Sequence, residues 1–226
     1  MSELSFIEGL TTTRTIRRYL DTPVTNDQLA MMMHIATRAP SGSNRQPFRF
    51  VVLRNGDNAR QVRKLLGEGA NEVWQAKKSK NEFGDASPTS RTARMLASMD
   101  HYVATFASAP VIVLPCMVRY REPTPTEGAS IYPAVQNLLL GARAVGLGGA
   151  LTMFHQNRET EIRSLLAIPD KAFIAATITL GVPAGRHGPV RRKPIGQSVY
   201  EDGWDASPDW AVDPDGTRFT AGPREK

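Results

Sequence analysis

Residues 129–145 read Ala-Ser-Ile-Tyr-Pro-Ala-Val-Gln-Asn-Leu-Leu-Leu-Gly-Ala-Arg-Ala-Val, and Gly146-Leu147-Gly148-Gly149 follows directly. Ile131, Val135, Leu138, Leu139, Ala142 and Val145 recur at helical spacing on one face. Ala134, Leu140 and Ala144 make the other face apolar too, and Arg143 is its only formal charge. A helix apolar nearly all round belongs inside a core or an interface. The glycines stop it, and 150–153 reads as a short strand.

Upstream, Thr25 and Gln28 form a capping box that opens a helix over 25–38, closed by Pro40. The turn-rich loop 40–47 leads into an aromatic and β-branched strand at 48–53, then a helix at 58–66. Residues 67–92 carry Lys77, Lys78 and Lys80 beside Gly84, Ser87, Pro88 and Ser90 and read as a solvated excursion, a candidate mobile cover. A helix at 94–107 and a buried strand at 110–114 come next, then a Pro-rich loop at 120–127. Beyond the central helix stand a helix at 159–166 and a strand at 173–180. Long helices separating short strands predict one α+β domain spanning 1–226. The tail past Val199 is too polar to fold alone, yet Trp204 and Trp210 mark it for docking, which predicts an extension over 199–226 that wraps a partner subunit.

The 226 residues are 41% apolar and 22% charged, within the range of globular proteins and outside that of disordered, collagenous or coiled-coil chains. No apolar run reaches the ~20 residues of a membrane-spanning helix, and the first ten residues lack the pattern of a secretory signal. One cysteine, Cys116, makes no internal disulfide, and a cytoplasmic location is the default. The net charge of +6 is compatible with nucleic acid, a phosphate-bearing cofactor or an anionic co-substrate. Its arginine clusters lie at Arg14, Arg17, Arg18 and at Arg191, Arg192, Lys193, outside any helix-turn-helix or aromatic RNA-binding pattern. Neither a nucleic-acid nor a membrane partner is expected.

The run 146–149 is no dinucleotide fingerprint, because Leu151 stands where the third glycine belongs and the run follows a helix. No phosphate-binding P-loop is present. His34, His101, His155 and His187 show no metal-ligand spacing, so no metal site is expected. Cys116 reads as a packing residue. Three segments are informative together: 13–19 (TRTIRRY), 39–48 (APSGSNRQPF) and 190–194 (VRRKP). Guanidiniums with Thr or Ser hydroxyls suit a phosphate, and a Ser/Gly/Asn/Gln loop suits the donor–acceptor edge of a flat heterocycle. Chemistry alone leaves two readings open, a phosphorylated heterocyclic cofactor or a basic segment beside an ordinary loop.

The order R-[ST]-[IV]-R-x-[YF], A-P-[ST]-x-x-N-x-Q-P-[FW], the buried helix with Ala134-Val135-Gln136-Asn137, Gly146-Leu147-Gly148 and a late basic triplet before Pro-Ile resembles the FMN-dependent nitroreductase family over about 12–195. The resemblance implies a homodimeric α/β/α sandwich with a central mixed sheet and two FMN molecules at the subunit interface. Arg14, Thr15 and Arg17 would come from one subunit, Arg14 at the phosphate and Arg17 near the N1/O2 edge of the ring. Arg191 and Lys193 would close the phosphate end. The other subunit would contribute Pro40, Ser41, Gly42, Ser43 and Asn44, and Thr152 would lie over the ring. NADH or NADPH would deliver hydride and leave, and a nitroaromatic or quinone-like oxidant would then take the electrons in the same place, with no catalytic side chain. The basic surplus favours NADPH.

The chain departs from some members in two places. Residues 101–104 offer no match to an Asn and a Lys at the pyrimidine edge, and Met153 and Phe154 stand where a Glu and a Gly flank the ring. The same fold hosts reductive dehalogenases, whose lid carries Glu, Tyr and Lys. Here Glu72 and Lys77 have no tyrosine between them. Flavin-fragmenting and flavin-sequestering proteins are the remaining alternatives. A nucleic-acid binder explains the charge but not the Ser/Asn/Gln loop.

Overall fold

The computed structural model describes residues 4–84 and 87–215. They divide into two compact units, residues 4–14 with 187–215, and residues 15–186. The smaller unit opens on α1 (Phe6–Thr12), capped by the Ser5 hydroxyl, which accepts from the Glu8 N–H at 3.1 Å. The Gly188 N–H donates to the Thr12 carbonyl (3.3 Å) and ties the later segment to the first. That segment is irregular apart from a 3-10 turn at Ile195–Gln197. Gly196 sits in that turn because a Cβ there would lie 2.9 Å from the Ala211 carbonyl oxygen. The rings of Tyr200 and Trp204 are 5.3 Å apart, yet Trp204 and Trp210 stay 87% and 60% exposed. The end of the expected extension, 216–226, lies outside the described residues.

The larger unit is a five-stranded sheet with helices on both faces. Its strands are β1 (Phe48–Leu53), β2 (Val111–Val118), β3 (Gly148–Thr152), β4 (Ala172–Ile174) and β5 (Thr177–Gly181). The order is β1-β2-β5-β3, with β4 also paired to β2. Side-chain alternation along β2 divides the core in two. Val111, Val113 and Met117 pack with α2 (Asn26–Ala36) and α5 (Tyr132–Ala144). Ile112, Leu114 and Cys116 face α3 (Asp57–Ser79), α4 (Arg91–Ala104) and α6 (Glu159–Leu165). This is the expected α/β/α layering.

The expected mixed sheet is corrected. Every pairing among the described strands is antiparallel. Two helices, α3 and α4, separate β1 from β2 and return the chain in the opposite sense. One helix, α5, separates β2 from β3, which therefore run in the same sense, but β5 is inserted between them.

Helix α2 carries the predicted capping box, with Gln28 Oε1 accepting from the Thr25 N–H at 3.0 Å. The excursion expected at 67–92 is a second correction, for helix α3 runs on to Ser79. Its stripe Ala59, Val62, Leu66, Ala70, Trp74 continues past two glycines. Those glycines are close-approach positions. A Cβ on Gly69 would meet Asn157 Oδ1 at 2.6 Å, and one on Gly67 would meet Ala107 at 3.2 Å. Trp74 is buried and donates to Asp100 (2.7 Å), and Glu72 pairs with Arg158. Glu72 stands exposed on α3, where it also accepts from Asn157 Nδ2 at 3.0 Å. Residues 85–86 lie outside the described residues.

The strand expected at 173–180 divides into β4 and β5. Cys116 faces Ile174 and Val113 faces Ile178, so residues 175–177 stand opposite 114–115, a bulge of one residue. Pro115 lies there, has no N–H to donate, and accepts from the Ala175 N–H at 2.8 Å. Cys116 lies within β2 rather than beyond it, buried, with its thiol pushed up to about 11 by burial.

Gly149→Ala would bring a Cβ to 2.9 Å from the Thr179 carbonyl and 2.8 Å from Leu180, a position backbone cannot vacate. We expect a loss of about 1–3 kcal/mol in urea unfolding. Cys116 should resist thiol reagents at pH 8 in the folded protein and react fully in denaturant, because only the thiolate is nucleophilic. Rapid native-state labelling would contradict that placement.

Candidate functional site

The segment 13–18 runs extended from α1 and is fastened by the Ile16 N–H, which donates to the Gly149 carbonyl at 2.9 Å. Ile16 is buried, while Thr15 is exposed and Arg17 half-buried. Tyr19 continues the segment into a bridge with Pro183. Its hydroxyl lies 2.7 Å from the Ile16 carbonyl and 2.7 Å from Thr179 Oγ1, and Tyr102 Oη is 2.8 Å from the same Thr179 oxygen. One assignment satisfies all three hydroxyls: Tyr19 donates to Ile16, Thr179 to Tyr19, and Tyr102 to Thr179. Burial raises the pKa of both tyrosines above the ordinary value. The Arg17 guanidinium stands over the Tyr102 ring, 5.9 Å from its centroid. Arg17 makes no ion pair among the described residues.

The loop 40–47 is strained. Ser43, Asn44 and Gln46 have φ of 51°, 51° and 49°, three non-glycine residues in the left-handed region within four positions. Each such residue costs about 1–3 kcal/mol, and such strain clusters at ligand clamps. Ser41 Oγ accepts from the Gln46 N–H (2.9 Å), the Asn44 N–H donates to the Ser41 carbonyl (2.9 Å), and the Gly42 N–H donates to Ser130 Oγ (3.2 Å). Gly42, Ser43 and Asn44 remain exposed and Ser41 half-buried. Thr152, at the end of β3, donates its hydroxyl to the Thr177 carbonyl at 3.2 Å.

Pro40, Ser41 and Gly42 also form one wall of a cavity of about 370 Å³. Its other walls include Pro47, Met117, Tyr120, Arg121 and the Arg119–Glu127 pair. Arg119 binds Glu127 through two bonds, 2.7 and 3.0 Å, and lies 4.3 Å over the Phe173 ring. Those hydrogen bonds hold the Glu127 carboxyl below its ordinary range and raise Arg119. Two further guanidiniums share the Tyr120 ring, Arg45 at 4.2 Å and Arg121 at 5.3 Å from its centroid.

In the smaller unit, Arg14, Arg191 and Lys193 are exposed and make no ion pair among the described residues. Arg192 turns back to donate to the Arg191 carbonyl at 2.9 Å. The structure thus groups Arg14 with Arg191 and Lys193 in one unit, and Thr15, Arg17, Thr152 and the 40–44 loop in the other. Within each unit these cations lack, among the described residues, the carboxylate partners that engage Arg60, Arg119, Arg158 and Arg163, and a guanidinium or ammonium so placed suits a phosphate or another anion. His155 is buried against Thr177 (3.1 Å), and burial lowers its pKa. Among the described residues no group of three or more His, Cys, Asp or Glu is placed to hold a metal ion, and no helix is long and apolar enough to cross a membrane.

Three features escaped the sequence. Tyr102 lies in the stretch 101–104 and faces inward rather than toward a ligand edge. Phe154 packs edge-on against Phe106, with centroids 5.5 Å apart, so of the residues at 153–154 only Met153 faces out. Ser130, a partner of the loop, is 88 positions from Gly42. No local periodicity signals any of them.

Residues 10–182 match the family model of nitroreductases. The chain is 29% identical over 198 residues to an NADH dehydrogenase of Thermus thermophilus, covering 82% of this chain and 90% of that protein. It is 25% identical over 214 residues to a 4-nitrobenzoate reductase of Nocardioides sp., covering 82% of this chain and 85% of the relative. Among solved structures it resembles a candidate nitroreductase of Desulfovibrio desulfuricans in complex with FMN (TM-score 0.60, 25% identity, 88% and 96% of the two chains). It also shares the fold of an FMN- and NADPH-dependent nitroreductase of Sphigopyxis sp. strain HMH (TM-score 0.59, 19% identity, 80% and 89% covered). With its α/β/α layers and a family match running from α1 through β5, the chain belongs to the nitroreductase family.

Proposed function

We propose that this protein is a cytoplasmic, FMN-dependent NAD(P)H oxidoreductase that reduces nitroaromatic or quinone-like acceptors, donor and acceptor occupying one site in turn. The observation that carries the reading is the strained, exposed loop at 41–46, a set of hydroxyl, amide and backbone groups held ready at a conformational cost. The FMN complex of one relative and the printed activities of others support it. FMN, when bound, supplies the acceptance and return of two electrons. The chain's own residues bind and orient it. Arg14, Arg191 and Lys193 grip the phosphate, whose charge of about −2 demands cations when desolvated. Thr15 adds a hydroxyl. Arg17, braced on Tyr102, would hold the N1/O2 edge of the ring. Pro40, Ser41, Gly42, Ser43 and Asn44 of a second copy would close the site, and Thr152 would hold the ring. The protein is on this reading a homodimer, with the segment past Val199 reaching across the partner.

The purified protein should be yellow and oxidise NADPH or NADH when nitroaromatics or quinones are added. A colourless protein that binds no added FMN would overturn the proposal. Arg14→Ala should weaken FMN binding by roughly tenfold to a hundredfold, since charge-assisted bonds contribute about 1.5–3 kcal/mol each. It should purify pale and regain activity with excess FMN. Arg17→Ala should retain more FMN but show a lower flavin reduction potential by redox titration. Light scattering should report a dimer at micromolar concentration, and deleting residues past Val199 should weaken it. The exposure of Trp204 and Trp210 in the single chain motivates that expectation.

A further inference from the structure

We infer that His155 is a positioning residue for Thr152: through the Thr177 hydroxyl it fixes the turn that follows Thr152 and so keeps the Thr152 oxygen a hydrogen-bond acceptor only. The inference rests on the function proposed above, in which Thr152 holds the flavin ring. Burial is the first argument. His155 and Thr177 are 1% and 0% exposed, and a buried polar group is costly without a partner. These two satisfy each other, with His155 Nδ1 at 3.1 Å from Thr177 Oγ1. Thr179, on the same side of β5, already serves Tyr19 and Tyr102. The two buried hydroxyls of β5 thus support two different candidate residues, Arg17 through Tyr102 and Thr152 through His155.

Chain geometry is the second argument. Thr152 and Thr177 face each other at the end of the β3–β5 ladder. The Thr152 hydroxyl donates to the Thr177 carbonyl at 3.2 Å. The chain then turns, closed by the Gln156 N–H on the Met153 carbonyl at 3.2 Å, and His155 returns to the Thr177 side chain. One residue therefore holds both ends of the segment 152–155. The sheet gives no further help there, because 175–177 form the bulge opposite Pro115. Phe154 packs on Phe106, but an apolar contact has no direction, and the imidazole supplies one.

Protonation agrees with that geometry. Burial lowers the pKa of His155, against the opposing influence of the Glu159 carboxylate and of a hydrogen bond with the Ile174 backbone. A neutral imidazole has one donor and one acceptor nitrogen, and Thr177 and Ile174 give it two partners. The consequence lies at Thr152. Its proton is committed to the Thr177 carbonyl, so its lone pairs alone remain for a ligand. A reduced flavin ring carries an N–H that the oxidised ring lacks. A fixed acceptor beside the ring therefore favours the reduced form.

Redox titration of the FMN-loaded full-length protein tests this. His155→Phe and Thr177→Val should each lower the flavin reduction potential. The shift should correspond to about a threefold to tenfold loss in the preference for reduced flavin, the worth of one hydrogen bond. Thr177→Ser, which keeps the hydroxyl, should restore the wild-type potential. Thr152→Val should lower it as well, and adding His155→Phe to that variant should change it no further. Cys116→Ala, a truncation in the core beside Ile174, should lower the urea midpoint and leave the potential unchanged. In the flavin-free protein, hydrogen exchange across 150–158 should be about tenfold faster in Thr177→Val than in wild type. If His155→Phe does not fold, Thr177→Val and Thr177→Ser decide the matter. A wild-type potential in Thr177→Val, an additive loss in the double variant, or unchanged exchange would each overturn the inference. A protein that binds no FMN overturns the reductase reading and the role of Thr152 with it. Unchanged potentials in variants that bind FMN and oxidise NADPH overturn the positioning role alone.

Discussion

Strand β2 is the constraint on which the rest of the larger unit depends. It is buried on both faces and pairs with three other strands, so each of its side chains must serve one of two cores. Odd positions commit α2 and α5 to one side of the sheet, and even positions commit α3, α4 and α6 to the other. A slip of one residue would exchange the two sets and leave neither core filled. Arg63 of α3 locks that register from outside the ladder. It donates to the carbonyls of Leu53, Ala107, Ala109 and Pro110, holding the end of β1 to the approach of β2.

How legible each element was in the sequence follows from whether its signal is local. The capping box at Thr25 and the aromatic, β-branched run at 48–53 are local signals, and both elements stand where they were read. The second half of α3 failed because glycine carries two meanings. A helix was expected to end at 66, yet Gly67 and Gly69 lie inside α3 as close-approach positions against Ala107 and Asn157, partners distant in sequence. Pro115 divided an expected strand sixty residues downstream, a consequence of pairing that no window of sequence contains. The mixed sheet was an expectation of order, and strand order is set by which hydrophobic faces meet rather than by any single segment.

The candidate site obeys the same division. Its residue types were visible, because Arg, Thr, Ser and Asn cluster in three segments. Its supports were not. Ser130 holds Gly42, Gly149 holds Ile16, and Thr179 holds both Tyr19 and Tyr102, each across a long stretch of chain. The Tyr120 ring shows the gap most plainly. Arg45, Arg121 and Tyr120 looked like ordinary loop residues until the fold set two guanidiniums over one ring.

The protonation state of the buried tyrosines decides what Arg17 can do. A tyrosinate beneath it would neutralise the guanidinium and hold its N–H groups inward. Burial instead raises the pKa of both Tyr19 and Tyr102, so both stay neutral through the physiological range. The neutral Tyr102 hydroxyl is engaged with Thr179 Oγ1 at 2.8 Å, and Arg17 stands over the face of the ring. Attraction to that face orients the cation without occupying its hydrogen-bonding edge. Because Tyr102 and Thr179 are both fully buried, the ring cannot rotate away without abandoning a hydrogen bond in the core. Arg17 is thereby held in place with its full charge and its donors available, which is what recognition of an electron-rich ligand edge requires.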